Sequence, residues 1–544
     1  MQSRTTLPEW QYLQELAADM QLRHLRDFWS DDTRAQSFSR CAGPVYLDVS
    51  KQRIDERVMT ALLSLADVCR LKSAIGDMMH GALVNNTEGR AALHTALRSS
   101  PDACVMVNGR NIIPDVHESL VRMETVVNRI HAREWHGYAG NPITDIVNIG
   151  VGGSDLGPSM VSSALADFTV PEAFPLRFHY VGSTDGTQMV DLLRGLQPET
   201  TLFIISSKSF TTLDTLSNAN MAWDWMQRVN VDLSLLRRCH FIGVSANPDK
   251  MTEWGIAPEN ALCLWDWVGG RFSLWSAIGL PVAMQIGMVR FRELLEGARF
   301  MDNHFCETPF RDNLPVLLGM TGVWNASFME IRAHAILPYD ARLREFPGYL
   351  AQLEMESNGK SVTRSGLPLR YATCPVLLGE VGSNAQHAFF QLLHQGTQDV
   401  SSDFIAPVRR YKDHEASLSL AEQHHLTLAN CFAQSRALMM GDAAVSHGSD
   451  APEYRRYHGN QPSSTILLDS VGPFSLGALI ALYEHKVFVM SVIWDINPFD
   501  QWGVELGKEI TNDMRNALSG VGIKNIDPST RMLLEKIMKD GWSL

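Results

Sequence analysis

From about residue 140 onward, short apolar runs alternate with longer amphipathic stretches. The first series is DIVNIG (145–150), RFHYVG (177–182), TLFIIS (201–206), HFIGVS (240–245) and ALCLWD (261–266). Most runs lead into a loop of Gly, Ser, Asp or Asn, and helix-like sequence follows. Short apolar runs closed by turn residues predict buried strands. Repeated strand–helix units predict a parallel sheet with helices on both faces. A second series follows a helical stretch near 313–331: AHAILP (333–338), PVLLGE (375–380), DFIAPV (403–408) and TILLDS (465–470). The two series predict similar architecture, although no sequence repeat of fixed period relates them. Residues 1 to about 120 carry apolar positions at helical intervals, in LPEWQYLQELAADM and VMTALLSLADVCRLKSAIGDMM, and predict mostly helix. Long helices are predicted at 476–495 and 501–518. The predicted fold class is α/β with two αβα sandwiches. The expected divisions are an N-terminal helical segment (1–120) packing on the large domain, sandwiches at 121–290 and 291–510, and a C-terminal helical arm (511–544). No low-complexity linker separates them, so tight packing is expected.

Composition narrows the partners. The 544 residues are 45% hydrophobic and 20% charged, with a net charge of −13. That balance argues against nucleic acid or an anionic membrane, but not against a local basic site for a small anion. Eight cysteines are scattered without a CxxC, and MQSRTTLPEWQYLQEL lacks an apolar signal core. A reduced, cytoplasmic setting is expected. The uncharged run FSLWSAIGLPVAMQIGMV (272–289) reaches the lower edge of a spanning helix. Pro281, Gln285, two serines and two glycines interrupt it, so a buried core helix is expected. HEASL lacks the second histidine of a zinc helix, and no metal site is expected.

Ligands of open parallel sheets sit beyond the carboxyl ends of the strands, so the loops after the strands carry the chemistry. NIGVGGSDLGP (148–158) resembles a phosphate cradle but misses both nucleotide patterns. Asp155 occupies the third glycine of the dinucleotide fingerprint, and Pro158 occupies the lysine of the P-loop. The loop is either a phosphate binder without nucleotide apparatus or a plain turn after a buried strand. SSKSFTTLDT (206–215) holds six hydroxyl residues and Lys208. Thr211 and Asp214 are spaced as a capping-box-like pair, which predicts a helix start. A helix N-terminus, hydroxyls and a lysine suit an anion. Beside VGGS they predict a monophosphate pocket with no Mg²⁺ requirement.

Four further segments offer proton-handling or charged groups. In WDWVGGRFSLWS (265–276), Arg271 either meets an anion or developing oxyanion, or stacks on Trp267 or Trp275. In QLEMESNGK (352–360), Glu354 or Glu356 could abstract a proton from carbon, and spacing does not choose between them. Either is otherwise a solvated helix residue. In GSNAQHAFFQLLHQGTQ (382–398), His387 and His394 lie on roughly one helix face, to move a proton or to serve as core or capping residues. In FDQWGVELGKEI (499–510), Gln501, Glu505 and Lys508 share a helix face. They point to a polar ligand or to a Glu505–Lys508 salt bridge.

Taken together, VNIGVGGSDLGP, SSKSFTT, DWVGGRFSLWSAIGLP, MESNGK, NAQHAFFQLLHQGT, GALIALYEHK and FDQWGVELGK resemble the glucose-6-phosphate isomerase (phosphoglucose isomerase) family. The resemblance runs through most of the chain. It implies two sugar-isomerase (SIS) sandwich domains, a homodimer, no metal or organic cofactor, and interconversion of glucose 6-phosphate and fructose 6-phosphate in the cytoplasm. It implies that Gly153, Ser154, Ser207, Lys208, Ser209, Thr212 and Thr215 bind phosphate and substrate, with Gln352 and Gln501 as further contacts. Glu356 would carry the proton between C2 and C1, and Arg271 would stabilise the cis-enediolate. His387, reaching the site from the other subunit, would open the sugar ring with Lys508.

The sequence departs from the family pattern at Ser209 (usually threonine), Asp214 (usually glutamate), Leu353 (usually glycine), Glu354 (usually aspartate) and Pro498 (often serine). None removes a reacting group, while Leu353 bears on the shape of its loop. The alternatives are a non-catalytic sugar-phosphate sensor, an extracellular signalling role known for the family in animals, and an enzyme of amino-sugar phosphates. Retention of Glu356, His387, Arg271 and Lys508 disfavours the first, nothing in the sequence encodes secretion, and the length of the match disfavours the third.

Overall fold

A computed structural model describes residues 3–170, 175–410, 417–444, 452–519 and 526–539, without the side chains of Lys508 and Lys539. After the Pro8–Gln21 helix the first strands form two hairpins. β1 (Ser39–Ala42) and β2 (Val45–Asp48) pair antiparallel, as do β3 (Met106–Val107) and β4 (Arg110–Asn111). The first 120 residues are therefore not helix alone. The expected helix over 58–79 is also two, Glu56–Val68 and Leu71–Met79, because Arg70 between them adopts a left-handed φ of 58°.

Every run of the two series becomes a strand. β5 (Asp145–Gly150), β6 (Arg177–Val181), β7 (Thr201–Ser206), β8 (Phe241–Ser245) and β9 (Ala261–Cys263) form an all-parallel sheet in the order β6-β5-β7-β8-β9. All residues of β5, β7 and β8 are buried, as a sheet covered on both faces requires. β10 (Ala333–Pro338), β11 (Val376–Gly379), β12 (Val400–Arg409) and β13 (Ser463–Ser470) join the first hairpin in the order β1-β2-β13-β12-β10-β11. Their own pairings are parallel, and β2 closes the β13 edge in antiparallel register. The two series share one permutation. In each, the first strand lies between the second and the third, which creates a crevice at its carboxyl end.

Each sheet has its own core. Val147, Ile149, Phe203 and Phe241 pack with Met226 and Leu236 around the first. Leu337, Phe404 and Ala406 pack with Phe390 and Leu438 around the second. The run 272–289 is buried from Phe272 to Ile286 but is not one helix. Turns Gly270–Trp275 and Ala277–Gly279 precede the Leu280–Glu307 helix, which departs from helical geometry at Gly287. That helix crosses the Pro473–Ile493 helix backbone to backbone. A Cβ on Gly297 would overlap the Phe474 carbonyl, and one on Gly477 the Leu294 carbonyl. Among the described residues, only Pro473–Ile493 is long and apolar enough to cross a membrane, and its apolar window is wholly buried in protein. Met1–Pro498 form one compact unit. Phe499–Leu544 form a second, with helices Trp502–Leu518 and Pro528–Lys539.

Candidate active site

The two loops of the predicted phosphate pocket leave β5 and β7, neighbouring strands at the switch point of the first sheet. Asn148, a buried polar residue within β5, ties them together. Its side chain accepts from Ser206 Oγ (2.9 Å) and donates to the Ser154 carbonyl (3.1 Å). Residues Gly152–Ser154 make a 3-10 turn whose closing N–H groups, Ser154 and Asp155, donate to the Val151 and Gly152 carbonyls. In the second loop the predicted Thr211/Asp214 capping pair does not form. The helix is Leu213–Met226, its N-cap is Thr212, and no side chain caps it. Thr211 instead donates to Ser209 Oγ (2.8 Å), and the Thr212 hydroxyl lies 3.3 Å from that of Ser207. The first-turn N–H groups of that helix and these hydroxyls are groups that can hold an anion. Ser207 and Thr215 are buried, Lys208 is half-buried and Ser209 exposed. Lys208 donates to the Asp266 carbonyl (2.9 Å), and burial lowers its ammonium from the ordinary lysine value.

A closed ring of contacts joins the first loop to the carboxylate-bearing segment. A Cβ on Gly153 would overlap the Gly270 carbonyl, so only glycine lets the β5 loop lie against the Arg271 turn. Arg271 is 2% exposed. Its Nε donates to Ser357 Oγ (2.6 Å), its Nη1 to Glu356 Oε1 (2.7 Å), and its Nη2 to the Pro498 carbonyl. In place of the alternative reading, stacking on Trp267 or Trp275, the guanidinium lies 5.5 Å from the Phe272 ring centre. The other Glu356 oxygen accepts from Gln352 Nε2 (2.9 Å). That amide nitrogen in turn faces Gly152, 3.0 Å from where a Cβ would stand. Gln352 and Glu356 open and close a five-residue π-helical turn, a local widening frequent at functional sites.

The structure separates the two glutamates. Glu354 is 1% exposed and its Oε2 accepts from buried Lys486 (2.7 Å), whereas Glu356 faces Arg271 and Gln352 with its side chain 21% exposed. Leu353, the departure from glycine, is fully buried. The expected common helix for His387 and His394 is broken at Phe389 (φ −134°), giving Gly382–Ala388 and Phe390–Gln395. His387 is exposed, while His394 meets Gln434 at 3.0 Å. Gln501 is the N-cap of Trp502–Leu518 rather than a residue of its face. Glu505 and Lys508 lie on that helix, and the Lys508 side chain lies outside the described residues, as does any pairing with it. Asn148 and Ser357 escaped sequence reasoning. For Asn148 the signal was available: a polar side chain set between apolar ones in the interior of a buried strand.

Asp155, which ends the β5 turn, adds a pH dependence. Burial, reinforced by the Glu345 carboxylate, pushes its carboxyl up from 3.8 to about 6. Its Oδ1 has no hydrogen-bond partner among the described residues. The folded chain then holds this proton more tightly than the unfolded chain, so its contribution to stability falls as pH rises between those values. Asp155→Asn should show a melting-temperature gain over the parent that grows from pH 4 to pH 7, measured by calorimetry. A difference independent of pH would contradict the assignment.

Comparison with known proteins places the chain in a family. The Phosphoglucose isomerase family model matches residues 48–534. The chain is 53% identical over 540 residues to glucose-6-phosphate isomerase 2 of Chromohalobacter salexigens, with 97% of each chain covered. It is 54% identical over 538 residues to the glucose-6-phosphate isomerase of Psychrobacter cryohalolentis, covering 97% of this chain and 96% of that one. The crystal structure of a glucose-6-phosphate isomerase from Chlamydia trachomatis superposes with a TM-score of 0.88 at 30% identity, covering 99% of this chain and 100% of that one. A family match over nearly the whole length, with relatives above half identity, leaves one conclusion: the chain belongs to the phosphoglucose isomerase family.

Proposed function

We infer that the chain interconverts D-glucose 6-phosphate and D-fructose 6-phosphate, an aldose–ketose isomerisation of glycolysis and gluconeogenesis. The observation that carries the reading is the Glu356 carboxylate, held on one oxygen by Arg271 and on the other by Gln352. The shift needs a base for a carbon-bound proton and a cation for the oxygen that becomes negative. Glu356 takes the proton from C2 of the open-chain aldose as the C1 carbonyl becomes an enediolate. It returns the proton to C1 while the O2 hydroxyl proton passes to O1 and the C2 oxygen becomes the new carbonyl. Electrons move only within the sugar. Arg271 supplies a fixed, desolvated guanidinium for the oxyanion. Gly153, Ser154, Ser207, Lys208, Ser209, Thr212 and Thr215 take the phosphate end, so that binding remote from the reacting carbons orients them. Gln501 is a further substrate contact. The purified chain should turn over both hexose phosphates with EDTA present and no metal added. Absence of turnover in a coupled assay would contradict the function.

His387 and Lys508 open the ring, and His387 is contributed by the second subunit of a homodimer. Its exposure on the short Gly382–Ala388 helix supports presentation to another copy. The two sandwiches, 121–290 and 291–510, are SIS domains flanked by the N-terminal segment and the helical arm from 511, and the enzyme works in the cytoplasm. Inactive Glu356→Gln and inactive His387→Ala chains, mixed and reassembled, then make hybrid dimers with one intact site. Recovery should reach about a quarter of parental activity, because about half the dimers are hybrids with one good site of two. No recovery despite verified hybrids would contradict the shared site.

A further inference from the structure

We propose that Glu484 and Lys486 of the Pro473–Ile493 helix are positioning residues that hold the Arg271 turn and the Glu356 turn in register. This rests on the catalytic reading of Arg271 and Glu356. Apart from two serines the rest of the helix is apolar or aromatic, yet Glu484, His485 and Lys486 are all at most 2% exposed within it. Residues two apart leave a helix on nearly opposite sides, so the pair reaches two different elements. On one side, Glu484 Oε1 accepts from Trp275 Nε1 (2.7 Å), the last residue of the Gly270–Trp275 turn that carries Arg271. Its Oε2 accepts from Arg98 (2.7 Å), whose guanidinium is held by Asp302 and lies 4.6 Å from the Trp275 ring centre. On the other side, Lys486 Nζ donates to Glu354 Oε2 (2.7 Å), within the π-helical turn that carries Glu356. Buried ions add little net stability compared with apolar side chains of similar volume. What they add here is fixed direction at both turns.

Two variants test the two arms. Glu354→Leu/Lys486→Met removes both charges of the pair together, so neither is left as an unpaired partner of the other, while buried Asp403 loses a nearby cation but keeps its contacts to His334 (3.1 Å) and Tyr483 (2.9 Å). Trp275→Phe removes only the indole N–H and part of the ring. Each should fold with KM for fructose 6-phosphate near the parent, Trp275→Phe at a lower melting temperature because it leaves a gap and an unmet Glu484 oxygen. Each should lose kcat, by up to about 10²-fold for a displacement near 1 Å. A variant that folds with parental kcat in either arm would overturn the proposal. Glu356→Gln, run alongside, separates the two claims. If it stays active, the catalytic reading fails. If it is inactive while both arms keep parental kcat, only the positioning role fails.

Discussion

Glu356→Gln is expected to lower kcat for both hexose phosphates by at least about 10²–10⁴-fold, the usual range for a positioned general base. The amide matches the carboxylate in size and still offers an oxygen to Arg271 Nη1, now 2.7 Å from Glu356 Oε1. Gln352 can reverse its amide to accept from the new NH₂ group. What is lost is the ability to take a proton from carbon. The phosphate loops belong to other elements, after β5 and β7, so competitive inhibition by inorganic phosphate should persist with little change. Steady-state rates, with the phosphate inhibition constant, check both halves. Loss of phosphate binding together with rate would mean the substitution disturbs the pocket rather than the base.

Arg271→Lys should cost about 10²-fold in kcat, the scale of losing one preorganised oxyanion donor. The guanidinium reaches Ser357, Glu356 and the Pro498 carbonyl at once from a position 2% exposed. A lysine keeps the charge but is a single point donor, and cannot serve the three directions together. KM should change less than kcat, because the cation is needed most when the oxygen becomes negative. Kinetics with a melting curve tests this. Parental kcat in a folded Arg271→Lys variant would assign the arginine a purely structural task.

Much of the fold was legible in the chain. β5, β7 and β10 coincide with DIVNIG, TLFIIS and AHAILP because a strand buried on both faces must be a short apolar run ended by turn residues. β1, with the sequence SRCA, has no such run, and its pairing is supplied by β2 and the distant β13. The break at Phe389 was equally hidden, since no Gly or Pro marks it. In the site, the residue types were legible and their partners were not. Glu354 and Glu356 look alike in sequence, and what distinguishes them is Lys486, 132 residues from one, and Arg271, 85 residues from the other. The Thr211/Asp214 spacing suggested a cap that tertiary structure does not use, leaving Thr212 beside Ser207.

Exchange of the substrate's reacting proton with solvent reports the proton-transfer step itself. Fructose 6-phosphate incubated in deuterated water with EDTA and the parental chain should give glucose 6-phosphate carrying deuterium at C2, followed by proton NMR. Under the same conditions Glu356→Gln should show neither isomerisation nor deuterium incorporation while still binding phosphate. Deuterium entering C2 at the parental rate in Glu356→Gln would contradict the assignment of the base, and with it the central claim.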